Sequence, residues 1–278
     1  MNRNMKVIVG ILICLVIGLA VIGMTRDNTP KSIILSTTTS TQDSGLLDEI
    51  LPYFEKETGI EVKVVAVGTG KAIQMGVDGE ADVLLVHAKA SEEKFVSDGD
   101  GVERFDVMYN DFVLVGPKGS NDGLETSSMT DIESVLKYIS EHQLKFVSRG
   151  DDSGTNKKEI SLWKGLSLEP SGDWYISAGK GMGDVLMMAS ELQAYTLTDR
   201  ATYLAMQDKL DLDIVFQADE ALLNYYGVIA VNPNKNEQIN AKGAEAFIKW
   251  ILSDETQKRI GQFGVEAYGQ PLFFPNAK

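Results

Sequence analysis

Residues 32–87 read SIILSTTTSTQDSGLLDEILPYFEKETGIEVKVVAVGTGKAIQMGVDGEADVLLVH. Three short apolar runs, 32–36, 61–68 and 81–87, alternate with stretches patterned as helices. In 44–59 the residues Leu46, Leu47, Ile50, Leu51 and Phe54 recur at helical spacing, and Pro52 is expected to bend or offset that helix. Residues 69–80 read as a shorter helix, and "ASEEKFVSDG" (90–99) as another. A β-α-β-α-β order implies a mainly parallel sheet with helices on both faces, an α/β fold.

Ligands on such sheets bind beyond the carboxyl ends of the strands, where helix N-termini point free N–H groups. Three junctions of this kind have unusual composition. After the first strand comes "STTTSTQDSG", with hydroxyls at Ser36, Thr37, Thr38, Thr39, Ser40 and Thr41; after the second comes Gly68-Thr69-Gly70-Lys71. Further on, Phe146-Val147-Ser148 runs into "RGDDSGT" (149–155) and a helix. Hydroxyls, glycines and helix starts are the parts that wrap a small oxyanion in neutral donors. Each also has a plainer reading. A Thr/Ser run before a helix is ordinarily capping chemistry, and Arg149 beside Asp151 and Asp152 is ordinarily a surface ion pair of little energetic weight. "GTGK" fails the phosphate-loop spacing, because Val65 stands where its first glycine belongs and Ala72 replaces its hydroxyl. "GKGMGD" (179–184) reads as a helix start, and His87 as a packed or rim residue. The recurrence of the three junctions at one kind of topological position favours binding over the separate plain readings.

The second half continues with a strand at 111–120, a helix at 131–143 and a strand at 145–150. A helix at 154–166 follows, with Ile160, Trp163 and Leu166 expected on one face. A helix at 179–192, a strand at 194–199, a helix at 199–207 and strands at 212–216 and 225–233 come next. "YYGVIAVNP" (225–233) resembles "YNDFVLVGP" in composition and ending, so segments near 112–116 and 227–231 are candidate crossing strands between two lobes. One amphipathic stretch, 240–264, closes the chain.

Of 278 residues, 40 are acidic and 26 basic, for a net charge of −14. That balance argues against nucleic acid as a partner. It also repels small anions at long range, so an anion site must rely on short-range donors. Two histidines (His87, His142) and one cysteine (Cys14) exclude a structural zinc site and a disulfide framework. Neither histidine lies in a nucleophile motif, so no serine has an evident base and catalysis is the weaker class. At the N-terminus, "MNRNMK" precedes an uncharged span from Val7 to Met24, close to the roughly 20 residues that cross a bilayer. Gly18-Leu19-Ala20 is a weak cleavage match. Residues 1–26 are therefore expected to be a signal or membrane anchor. The chain would then be exported to the periplasm or the outer face of the cytoplasmic membrane, anchored or released by cleavage.

The stretches "STTTSTQDSGLL", "VVAVGTGKA", "ADVLLVHAKASEEKFV", "MYNDFVLVGP", "SRGDDSGTNKKE", "GKGMGDVLMMA", "AYTLTDR" and "YGVIAVNP" closely resemble the TupA family of tungstate-binding proteins, the external binding components of ABC-type tungstate importers. The resemblance spans about residues 32–278. It implies a type II periplasmic-binding-protein fold, two α/β lobes with a two-segment hinge and a ligand cleft, divided as 32–112 with 228–278 against 113–227. It implies tungstate or molybdate as ligand, separate permease and ATPase subunits as partners, no cofactor, and no enzymatic activity. Carried across by motif, Thr38, Thr39 and Ser40 donate from the first loop and Thr69 and Gly70 from the second. Arg149, Ser153, Gly154 and Thr155 close from the other lobe. The Arg-and-SGT loop also resembles phosphate-binding proteins of the same fold, where Asp82, Asp151 or Asp152 would serve as the acceptor that hydrogen phosphate needs. An exported hydrolase with Ser40 or Ser153 as nucleophile is the remaining alternative.

Overall fold

A computed structural model describes residues 32–119, 124 and 129–277. The expected signal or anchor at 1–26 lies outside the described residues, among which no helix is long and apolar enough to cross a membrane. Strand β1 (Ser32–Thr38) lies between β2 (Glu61–Val67) and β3 (Val83–Val86), parallel to both. Successive side chains point to opposite faces of the strands. Ile33, Leu35, Val83 and Leu85 therefore join one core with Leu47, Ile50, Phe54, Phe247 and Ile251. Leu84 and Val86 join the other with Ala72, Met75 and Phe95. Each fully buried side chain of this size stabilises by about 1.5–3 kcal/mol.

A short helix α1 (Thr39–Asp43), not anticipated from the sequence, precedes α2 (Leu46–Thr58). The helix α2 continues through Pro52 and ends at Gly59, whose left-handed backbone (φ 70°) suits glycine and lets its N–H donate to Glu55 O. Helices α3 (Thr69–Asp78) and α4 (Lys89–Ser97) follow β2 and β3.

In the large sheet the parallel pairing expected from the sequence is confined to these first strands; the small sheet of Phe146–Ser148 with Tyr175–Ser177 is also parallel. Strand β4 runs from Gly101 to Pro117, ten residues before the expected start at 111. Its first part pairs antiparallel with β9 (Leu223–Val231), which also lies antiparallel to β3. Register shifts between Gly101 and Arg104 and between Asp106 and Met108 break the alternation that would have revealed the strand. The two similar strands do pair, but Gly227–Val231 lies opposite Gly101–Asp106 rather than 112–116.

Beyond Asp111, β4 changes partners. Phe112–Val115 pair with β7 (Thr196–Asp199), and Leu114–Pro117 with β8 (Leu212–Phe216). Around that half pack α5 (Ile132–Glu141), β5 (Phe146–Ser148), α6 (Gly154–Gly165), β6 (Tyr175–Ser177), α7 (Met182–Leu192) and α8 (Arg200–Met206). Their core includes Phe112, Ile139, Phe146, Trp163, Trp174 and Tyr195. In α6 the buried residues are Thr155, Glu159, Leu162 and Trp163, while Ile160 and Leu166 are only partly covered. The expected apolar face is thus rotated to include a carboxylate.

The closing amphipathic stretch holds two helices, α9 (Ala241–Ile251) and α10 (Asp254–Gln262), and is followed by a short α11 (Val265–Tyr268) and β10 (Phe274–Pro275). Ser253 interrupts it by capping α10, accepting from Thr256 N. Helix α9 returns to the N-terminal core, where Phe247 and Trp250 ring centroids lie 5.4 and 5.3 Å from that of Phe54.

Candidate functional site

All three junctions face one cavity of about 1100 Å³. At the first, Thr38 is the N-cap of α1 and its hydroxyl accepts from Thr41 N, so the capping reading holds. Ser36 and Thr37 are spent inside the fold on the carbonyls of Ala72 and Leu85. Thr38, Thr39 and Ser40 line the cavity, with Thr39 and Ser40 exposed to it. Capping and cavity lining coexist in one run.

At the second junction Gly68 is the N-cap of α3 and lines the cavity together with Thr69. Gly70 is not among the lining residues, and Gly68 takes the lining place expected of it. The Gly70 N–H belongs to the first helical turn and has no partner within the helix.

At the third, Arg149, Ser153, Gly154 and Thr155 all line the cavity. The turn needs Gly150, whose φ is +61° and where a Cβ would lie 2.0 Å from Ser177 Oγ. Ser153 caps α6 by accepting from Asn156 N. Arg149 donates through Nε (3.1 Å) and Nη2 (2.6 Å) to Asp151 Oδ2, and Asp151 Oδ1 accepts from Ser153 N at 3.2 Å. Burial pushes the Asp151 carboxyl up, but the bonds from Ser153 and Arg149 outweigh it and hold the group below its ordinary range. Asp151 thus fixes the guanidinium and leaves Nη1 outside that ion pair. Behind the loop, the Glu159 carboxylate accepts from Ser148 Oγ (2.5 Å), Tyr175 OH (2.7 Å) and Trp163 Nε1 (2.9 Å). Burial raises the Glu159 pKa against those bonds. This cluster explains the rotated face of α6.

Two sequence readings are corrected here. Asp82 is buried far back in the sheet, accepting from Ile34 N and Asn240 N at 2.6 Å each, and is a structural carboxylate. A serine does have a nearby base: His87 Nε2 lies 3.3 Å from Ser40 Oγ and 3.1 Å from Thr38 Oγ1. The parallel register pairs Thr37 with Leu85. Extending it by two residues brings His87 beside the residues that follow β1, a relation set by strand register. Gly181, the N-cap of α7, and Asp199, the N-cap of α8, also line the cavity and were not anticipated.

Among the described residues lining the cavity, the cations are Arg149 and Arg259, against Asp43, Glu49, Asp151, Asp152, Asp199 and Glu266. Arg259 is stacked over Tyr53 at 3.7 Å and donates to Glu255. The cationic donor framed by helix starts is Arg149.

Residues 25–255 match the model of the PBP superfamily domain. The chain is 57% identical, over all of its own length and 99% of the other, to the tungstate-binding protein TupA of Peptoclostridium acidaminophilum. The chain belongs to the TupA family. Two solved structures are similar: tungstate binding protein TupA from Desulfovibrio alaskensis G20 (41% identity, TM-score 0.80, covering 90% of this chain and 100% of that one) and the tungstate ABC transporter from Geobacter sulfurreducens (48%, 0.74, 84% and 99%). This TupA-family chain has the type II periplasmic-binding-protein fold, two α/β lobes about a cleft. Within it β4 pairs first with β9 and then with β7 and β8. Arg200 donates to Asp111 Oδ1 of β4 at 2.8 Å, and Lys158 donates to the carbonyls of Ala221 and Leu223 where β9 begins.

Proposed function

We propose that this chain captures tungstate, or molybdate of nearly equal size and charge, outside the cytoplasm and delivers it to the permease and ATPase of an ABC transporter. The observation that carries this reading is the convergence of Arg149 and three neutral, helix-starting junctions on one cavity, in a family whose relatives are named for tungstate binding. Thr38, Thr39, Ser40, Thr69 and the Gly70 N–H are the donors of one wall. Arg149, Ser153, Gly154 and Thr155 are those of the other. The lobes we assign are 32–112 with 228–278, and 113–227. The change of β4 partners between Asp111 and Phe112 supports the first boundary, and β9 pairing as far as Leu223 extends the second crossing toward that residue. Residues 1–26 are assigned as the export signal or anchor.

A fully deprotonated dianion suits this site better than hydrogen phosphate. Phosphate keeps a proton near neutral pH and gains from a carboxylate acceptor, yet Asp82 is committed elsewhere and Asp151 is occupied by Arg149 and Ser153. Asp152 is exposed, with Lys157 at 3.4 Å. The Ser40–His87 pair does not favour a hydrolase. Burial lowers the His87 pKa to about 4, so it is a weak base. Its side-chain acceptor is the neutral Asn224 rather than a carboxylate.

Melting curves in tungstate, molybdate, phosphate and sulfate test the reading. A ligand that binds only the folded state stabilises by RT ln(1 + [L]/Kd), about 2.7 kcal/mol at a hundredfold excess over Kd. Tungstate and molybdate are expected to raise Tm at micromolar concentrations where phosphate does not; a larger shift with phosphate reverses the assignment.

A further inference from the structure

His87 follows β3 and stands where the two walls meet. Its Nε2 faces the hydroxyls of Thr38 and Ser40, and its ring packs on Tyr226 with centroids 4.8 Å apart. The Asn224 side chain and the residue's own backbone favour the protonated ring, against the larger opposing effect of burial. Asn224 in turn donates through Nδ2 to Asn110 Oδ1 at 2.8 Å. The imidazole is thus held on several sides. From the opposite wall the start of α6 presses against its edge: a Cβ on Gly154 would lie 2.6 Å from His87 Cε1, inside any tolerated contact. A flexible side chain would yield to such a contact, but this ring is clamped.

We propose that His87 is the positioning residue of the oxyanion site: its ring directs the Thr38 and Ser40 hydroxyls and sets how closely the Gly154 helix start approaches them. This rests on the oxyanion reading above. With Nε2 facing two hydroxyls, His87 orients those hydroxyls through one nitrogen while its carbon edge limits the cleft. Held uncharged near neutral pH by burial, it acts through shape and hydrogen bonding rather than as a counter-charge. The limit on approach matters for selection. Tungstate has longer bonds to oxygen than sulfate, so donors held at a fixed separation favour the larger dianion. Without the ring, Gly154 can move inward and the hydroxyls can turn, which suits smaller anions.

Calorimetry with sodium tungstate and sodium sulfate on the wild type, His87→Ala, Gly154→Ala and the double variant tests this as a double-mutant cycle. His87→Ala is expected to weaken tungstate binding by about tenfold, the scale of one net hydrogen bond, and to lower the tungstate-to-sulfate affinity ratio. Gly154→Ala is expected to weaken tungstate binding by at least about tenfold, because the added methyl drives the walls apart. In the double variant the methyl no longer meets the ring, so its loss is smaller than the product of the single losses. If His87→Ala does not fold, His87→Gln, which keeps an amide toward the hydroxyls without the ring edge, enters the same cycle. Losses that multiply independently, or an unchanged affinity ratio, overturn the role of His87 while leaving the oxyanion reading intact. A wild type that binds neither anion overturns that reading, and the role of His87 with it.

Discussion

Arg149→Ala is expected to weaken tungstate binding by about 3–5 kcal/mol, roughly two to four orders of magnitude in Kd by calorimetry. The size follows from what the guanidinium does in the folded protein. Its side chain is 15% exposed, Asp151 holds it through two donors, and Nη1 is left outside that pair. Removing it takes away charge-assisted hydrogen bonds and also leaves the Asp151 carboxylate uncompensated at the edge of an anion site. The surrounding charge adds to the loss, because the chain carries −14 overall and six carboxylates line the cavity. Arg149→Lys should recover part of the affinity, since a point charge remains but the planar contact with Asp151 does not. Unchanged affinity in Arg149→Ala would remove this residue from the site.

Asp82→Ala is expected to have its large effect on stability instead. The carboxylate joins the first strand to the start of the C-terminal helices by accepting from Ile34 N and Asn240 N, and the residue is 6% exposed. Its loss leaves two buried N–H groups unpaired, at about 1–3 kcal/mol each. Together that is about 2–6 kcal/mol, or a fall in Tm of the order of 10 °C for a chain of this size. Urea melts measure the first quantity. Calorimetry on the fraction that remains folded should return the wild-type tungstate affinity, because Asp82 touches no cavity residue through these bonds. A lost affinity with normal stability would move Asp82 into the site and revive the phosphate reading.

Much of the fold was legible because its signals were local. Apolar runs at 32–36 and 81–87 and helical spacing from Leu46 to Phe54 located the first strands and helix to within about two residues. The first half of β4 was not legible, since two bulges disturb its alternation and its partner β9 comes much later in the chain. Strand direction was hidden for the same reason: it is set by a distant partner, not by composition. In the site, hydroxyls and glycines next to helix starts marked the cavity walls. The division of labour inside each run was not visible. Whether Thr37 or Thr39 turns to the cavity depends on strand register, and Gly68 lines it where Gly70 was expected because Gly68 is the N-cap while Gly70 already lies within the first helical turn. His87 was passed over because a lone histidine after an apolar strand has no local signal of contact with Thr38. Asp82 was open to misreading because a buried structural carboxylate and a ligand-binding one look alike in sequence.

The position of the bound metal is the most direct test of the site. Crystals grown with tungstate, measured across the tungsten absorption edge, should place one strong anomalous peak between the Thr38–Ser40 and Gly68–Thr69 wall and the Arg149–Thr155 wall. Its oxygens should lie within about 3 Å of those donors. A cleft without tungsten, beside a peak elsewhere on the protein, contradicts the account.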